Sequence, residues 1–230
     1  MKTSTLRFLL SALALLALPT ASALAQYQWN NFAGQPGGPG SANGTGNAAR
    51  FGYPEGVAVD SSGNIYVADF TNHIIRKVTA SGVVSTLAGR TGIIGFTDGA
   101  GSVAEFHYPR GVAVDGSGNV YVADTYNHTI RKIDTAGAVT TLAGIVGSPG
   151  AADGVGSAAQ FYSPSGLAVD GSGNVYVSDS TNHTIRKITA AGIVTTVAGS
   201  AGSFGSADGT GSAARFSYPG GVAVDGSGNV

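Results

Sequence analysis

The chain has 230 residues, with 12 Lys and Arg against 13 Asp and Glu, 37 glycines and no cysteine. A charge balance this even offers no basic patch, which argues against nucleic acid or an anionic membrane as a partner. Without cysteine there is no disulfide, thiol nucleophile, zinc–thiolate site or lipidated N-terminal cysteine, so stability must come from core burial and backbone pairing.

Residues 1–25 read as a secretory signal peptide. Lys2 and Arg7 make a basic start, residues 8–18 are an apolar run, Pro19 breaks it, and Ala23-Leu24-Ala25 offers a small-x-small cleavage site. The run is about 11 residues, too short to cross a hydrocarbon core of roughly 30 Å. The expectation is an exported protein, periplasmic or extracellular, starting at Gln26, with no membrane span after cleavage. Loss of Lys2 and Arg7 leaves 10 basic against 13 acidic residues, a net charge near −3.

Internal repetition dominates the rest. The strings VAVD or LAVD end at Asp60, Asp115, Asp170 and Asp225, each 55 residues after the last. NHxIRK begins at Asn72, Asn127 and Asn182, and LAG or VAG ends at Gly89, Gly144 and Gly199, in the same register. One period earlier, FAG ends at Gly34, so the period starts almost at the mature N-terminus and residues 27–34 align with the fourth apolar run of a unit.

The second copy shows the unit. Residues 111–115, 120–123, 128–133 and 138–143 are short apolar runs. They are separated by Gly116-Ser117-Gly118-Asn119, Thr125-Tyr126-Asn127 and Thr135-Ala136-Gly137, turn sequences of hairpin length. Four such strands make an antiparallel meander. Apolar bulk on both faces requires cover on both sides, so the repeats must stack. A glycine-rich crossover follows each copy. In it, Asp153 or Ser157 is expected to cap one helical turn over Ala158-Ala159, with Phe161 as a buried plug.

The segments YPxGVAVDxxGNxYVADxxNHxIRK, at residues 53–77 and 108–132, resemble the NHL repeat; the family's leucine position holds Ile74, Thr129 and Thr184. The resemblance covers nearly all of residues 27–230. It implies an all-β fold, a β-propeller of four-stranded NHL blades, six in a complete member and about three and a half here, with residues 27–34 as an N-terminal clasp strand that would complete the last blade. The long AGxxGxxGxxDGxGSAARF connection is similar to the bacterial exported branch. The blade region is 51–230, with the last blade incomplete; six blades would need roughly 125 further residues. A fragment of a longer reading frame is the favoured account, and self-association of partial rings through open sheet edges is the sharper one, with marginal solubility expected from those edges.

Several constellations invite a functional reading. His73, His128 and His183 sit at equivalent places in successive blades, too far apart for zinc, which needs its ligands within about 2.1 Å of one ion. Together with Asn72, Asn127, Asn182, Arg76, Arg131 and Arg186 they read as the structural signature. Asp69, Asp124 and Asp179 belong to the same set, and an Asx turn onto the following bend is the expected role. The DGSGN loops offer one carboxylate each, fewer than calcium requires, so they read as hairpin turns. No metal site and no cofactor is expected. His107 occurs once and carries no functional weight. Glu55, Arg110, Ser165 and Gly220 fill one equivalent position with four different residues, a variable site.

The second-to-third-strand turns and the crossovers emerge on one face. There Phe96, Asp98, Tyr126, Asp153 and Asp208 are the candidate binding residues. The reading is a non-catalytic exported binding or scaffold module that engages a protein or a polysaccharide through its loop-rich face. The alternative is a fragment of an ion-dependent propeller hydrolase or lyase, similar to gluconolactonases or amidating lyases. Near-uniform copies favour the module, because a catalytic centre leaves out-of-pattern His, Glu or Arg. Ligand identity, blade number and oligomeric state are not encoded legibly.

Overall fold

The structure, a computed structural model, describes residues 30–230. The signal peptide expected over residues 1–25 lies outside the described residues, as do residues 27–29 of the expected clasp. Residues 30–34 run without regular structure, and Gly34 donates its N–H to Gly46 O at 3.0 Å.

Three copies fold into three antiparallel sheets, the blades. The first comprises β1 (Gly44–Thr45), β2 (Pro54–Val59), β3 (Ile65–Asp69), β4 (Ile74–Val78) and β5 (Val83–Ala88), paired in the order β1-β5-β4-β3-β2. The second repeats this with β6 (Gly99–Ala100), β7 (Pro109–Val114), β8 (Val120–Asp124), β9 (Thr129–Ile133) and β10 (Ala138–Ala143). The third has β11 (Gly154–Val155), β12 (Pro164–Val169), β13 (Val175–Asp179), β14 (Thr184–Ile188) and β15 (Ile193–Gly199). The four-stranded meander therefore gains a fifth, two-residue strand from the crossover before it. This strand covers the outer edge that would otherwise lie unpaired.

The blades follow one another as an arc. β2 packs on β7, and β7 on β12, as the innermost strands. They lie so close that a β-carbon on Gly56, Gly111 or Gly166 would collide with the carbonyl oxygen of Arg110, Ser165 or Gly220 in the next copy. Between blades the core is apolar: Tyr66, Ala68 and Ile75 of the first meet Phe106, Val112 and Val122 of the second. Ala113, Tyr121 and Ile130 then meet Phe161, Leu167 and Val177 of the third. Residues 219–222 of the fourth copy lie against β12 without forming a strand, and Ser165 Oγ donates to Gly220 O at 3.0 Å. On the first blade's other face, Val57 is 64% exposed, whereas its second-blade counterpart Val112 is 5% exposed.

The crossover turn is a 3-10 turn at Gly156–Ala158, and no side chain caps it. Asp153 is occupied elsewhere, and Ser157 makes no cap bond. Phe161 is fully buried, as the plug reading requires.

Asp69, Asp124 and Asp179 are fully buried, and none forms a cap bond onto the turn that follows. The Asx-turn expectation is corrected. Asp124 Oδ1 instead accepts the His107 backbone N–H at 2.7 Å, while Oδ2 accepts from Asn127 Nδ2 and Arg131 at 2.8 Å each. Arg131, also fully buried, donates further to Glu105 O, Thr97 O and the Asp98 carboxylate of the crossover. Its guanidinium lies 5.2 Å from the centroid of the Phe106 ring. Arg76 and Arg186 repeat the arrangement over Phe51 and Phe161. Burial demands this pairing, because an unpaired buried charge costs several kcal/mol; only the Nε of each of these arginines is left without a partner. The signature Asp, Asn and Arg together nail each crossover onto its blade.

The histidines act between blades. His73 Nδ1 accepts the Tyr108 N–H at 3.2 Å, and His128 and His183 do the same for Ser163 and Tyr218 at 3.1 Å. In the DGSGN turns, Asp115 Oδ1 accepts from Ser117 N and Asn119 N at 2.9 Å, and Oδ2 from Asn119 Nδ2 at 2.8 Å and Tyr121 OH at 3.1 Å. Asp60 and Asp170 bind their turns in the same way. These aspartates are turn-closing groups whose oxygens are already taken.

Candidate functional site

The four copies of PxGVAV or PxGLAV surround an open axial cleft of about 560 Å³. Glu55, Arg110, Ser165 and Gly220 line it, together with Tyr218 and the innermost-strand glycines. In each blade the pairing register slips between the proline and the valine or leucine three residues on, which places Glu55, Arg110 and Ser165 in a bulge. A bulge frees a side chain from the ladder and re-aims it. The position that varies most between copies is thus presented at the cleft.

Glu55 and Arg110 meet there, Arg110 Nε lying 3.3 Å from Glu55 Oε2, with both side chains about 40% exposed. The contact is an ion pair without a well-aligned hydrogen bond, because Arg110 Nε has no acceptor. The Arg110 guanidinium also covers the Phe70 ring at 5.3 Å. Phe70 touches Tyr108 at 4.6 Å between centroids, Tyr108 touches Tyr126 at 5.1 Å, and His107 lies 5.4 Å from each of the two tyrosines. His73 completes the group, 4.4 Å from Tyr108.

This assembly occupies one blade boundary, between the first and second copies. At the next boundary the residues equivalent to Phe70, Tyr108 and Tyr126 are Thr125, Ser163 and Thr181, and a single aromatic contact, His128–Tyr162, remains. His107, given no weight from sequence, stands at its centre. Burial lowers its pKa, and the pKa of His73 is lowered by burial and by His107. The detectable signal was departure from the repeat consensus at 70, 107, 110 and 126. Each departure is unremarkable alone, and only the fold brings them together.

The five candidate binding residues separate. Tyr126 is 49% exposed and belongs to the aromatic group, and Phe96 is 59% exposed on the first crossover. Asp98 and Asp153 are committed: each accepts from a buried arginine, and from Thr141 N at 3.0 Å or Thr196 N at 3.1 Å. Burial pushes the Asp153 carboxyl up, and bonds from Arg186 and Thr196 outweigh it, so its pKa is lowered. Asp208 is exposed and makes no side-chain hydrogen bond or ion pair among the described residues. Among the described residues, no group of three or more His, Asp or Glu is placed to hold a metal ion.

The NHL repeat family matches at residues 51–77, 106–133 and 161–188, the stretches that supply the first three main strands and the Asp–Asn–His–Arg signature of each blade. The chain is an NHL-repeat protein. Its fold is a partial NHL β-propeller. It is 34% identical over 148 residues to Protein SUPPRESSOR OF QUENCHING 1, chloroplastic, of Arabidopsis thaliana, covering 60% of this chain and 14% of that protein. It is 32% identical over 185 residues to NHL repeat-containing protein 2 of Bos taurus, covering 74% of this chain and 25% of the relative. The chain thus spans a quarter or less of these relatives. Among solved structures, a protein of unknown function from Bacteroides thetaiotaomicron superposes with TM-score 0.62 at 26% identity, over 76% of this chain and 43% of the other. An auxiliary nutrient binding protein from Bacteroides ovatus does so with TM-score 0.59 at 22% identity, over 81% and 50%. At that identity the likeness is one of fold.

Proposed function

We propose that this NHL-repeat protein is a non-catalytic binding module acting outside the cytoplasm, engaging a protein or a polysaccharide through the loop-rich face of its blades. The observation that carries this reading is a division of labour among polar groups. The signature Asp, Asn, His and Arg residues and the turn aspartates are spent on the scaffold. The out-of-pattern residues at the first blade boundary contact one another but make no side-chain hydrogen bond to the scaffold among the described residues. Rigid repeats presenting variable, uncommitted side chains are the arrangement of a recognition surface. The nutrient-binding name of a structural neighbour accords with it, as an analogy of fold.

The test is retention of the intact chain on immobilised cell-envelope polysaccharide and protein fractions, comparing loop-face variants with variants of the opposite turns. Loss of retention in the loop-face variants alone is the expected result. Export is checked separately by N-terminal sequencing of secreted protein, with Gln26 expected as the first residue.

Glu55, His107 and Arg110 are also the out-of-pattern residues that a hydrolase or lyase would leave. That second reading predicts ion-dependent turnover of a lactone or ester substrate, abolished by His107→Gln.

A further inference from the structure

Three features stand apart from the scaffold: the exposed apolar face of the first blade, the axial cleft, and the aromatic shelf at the boundary of the first two blades. The shelf carries the argument furthest. We infer that the shelf formed by Phe70, His107, Tyr108 and Tyr126, with Glu55 and Arg110 at its cleft edge, binds a pyranose unit of a neutral polysaccharide. This rests on the binding reading above and names its ligand class.

Four observations converge on it. The first is geometry. The rings form one continuous contact chain, with centroid separations of 4.6 to 5.4 Å, and Tyr126 is half exposed at its end. An aromatic face open to solvent is a platform for the apolar C–H face of a sugar ring, since it offers wide contact area with few torsions to freeze.

The second is uncommitted polar capacity. Among the described residues, no side-chain hydrogen bond is made by the Arg110 guanidinium, the Glu55 carboxylate, the His107 imidazole or the Tyr108 and Tyr126 hydroxyls. Arg110 differs in this from Arg76, Arg131 and Arg186, whose terminal nitrogens are engaged. A sugar's hydroxyls both donate and accept. Arginine donates, a carboxylate accepts, and a neutral imidazole does both. Burial lowers the His107 pKa, which keeps that ring neutral near pH 7.

The third is charge. Glu55 and Arg110 pair at 3.3 Å and leave the shelf close to neutral, with no lysine in it. A phosphate chain or a sulfated glycan would need a cationic excess that this surface lacks. The fourth is placement. Arg110 caps the Phe70 ring and also lines the cleft, so the platform and the polar rim form one continuous surface.

The experiment uses affinity electrophoresis of the intact chain in gels containing soluble glucan, mannan or xylan, with a displayed peptide library as a parallel arm. The variants borrow residues that other blades carry at the same position, which protects folding: Phe70→Thr, Tyr126→Thr and Arg110→Ser at the shelf, and Tyr162→Ser as a control one boundary away. Circular dichroism confirms the β-sheet of each. The expected result is retardation by at least one polysaccharide, weakened tenfold or more by Tyr126→Thr and by Arg110→Ser and unchanged in Tyr162→Ser. Retardation lost in Tyr162→Ser but retained in Tyr126→Thr overturns the shelf while leaving the loop face as the binding side. Retardation lost only when the opposite hairpin is altered, by Ser117→Arg, overturns both. Binding of peptides alone, or of none of the polysaccharides, overturns the glycan assignment.

Discussion

His128 Nδ1 in the second blade accepts the backbone N–H of Ser163 in the third at 3.1 Å, and His73 and His183 make the same bond to the residues 35 positions ahead of them. Each histidine sits at a turn with φ near +60°, a left-handed conformation that aims its ring at the neighbouring blade. Replacing His128 with Phe keeps an aromatic ring but orphans the Ser163 N–H, which costs about 1–3 kcal/mol. Guanidinium unfolding should show the midpoint falling accordingly. The same substitution at Tyr126, outside this bond, should leave the midpoint nearly unmoved.

The histidines also set a pH dependence. Burial lowers the pKa of His73 and His128 from the ordinary 6.5, with His107 contributing in each case. A base whose folded pKa is depressed is charged more readily when unfolded, so its stability contribution is lost as pH falls through 6.5. Asp124 works in the opposite sense. Burial outweighs Arg131 and pushes its carboxyl up to about 6, so its contribution grows as pH falls from about 6 towards 3.8. Below 3.8 the turn carboxylates decide. Asp60 is lowered chiefly by Asn64, and Asp115 and Asp170 are lowered because bonds from Asn, Tyr and backbone N–H groups outweigh burial. Urea midpoints should therefore decline gently between pH 7 and pH 4 and steeply below. Asp124→Asn should make the upper part of that decline steeper.

Arg131 reaches Asp124, Asp98 and three backbone carbonyls from a fully buried position. Arg131→Met strands the Asp124 charge, a loss of about 3–5 kcal/mol. Arg131→Lys, one ammonium in place of a planar fork, should recover little of it. The crossover carboxylates are a different matter, because in the first blade Arg76 is served by the amide Asn43 at 2.8 Å. Asp153, about half exposed, should therefore tolerate Asp153→Asn at less than about 1 kcal/mol. Chemical denaturation of the three variants checks the ranking.

Gly111→Ala should be among the most damaging single-methyl changes, since the new β-carbon meets the Ser165 carbonyl oxygen. Backbone cannot swing aside as a side chain can, so the cost should reach about 3 kcal/mol. Gly116→Ala, whose β-carbon meets nothing, is the control and should change the thermal midpoint little.

Much of this architecture was legible because the physics repeats. Four apolar runs and three turns recurring every 55 residues, with bulk on both strand faces, have few solutions other than stacked meanders. The fifth strand was not legible, since Gly44–Thr45 and its counterparts are two residues long, too short to show the apolar alternation of a strand. Nor was the Asp–Arg pairing. A turn residue explains Asp124 locally, whereas its partner Arg131 is a register neighbour on the adjoining strand, reached through the pairing of Val122 with Arg131.

The sequence by itself determined the repeat unit, its strands and turns, the buried plug at Phe161 and the family, because each follows from local spacing and composition. Only the tertiary structure decided that His73 bonds the next blade, that Asp98 and Asp153 belong to the scaffold, and that Glu55, Phe70, His107, Arg110 and Tyr126 form one surface. Those relationships join residues up to 55 positions apart, and stacking one blade on the next is what sets their distances.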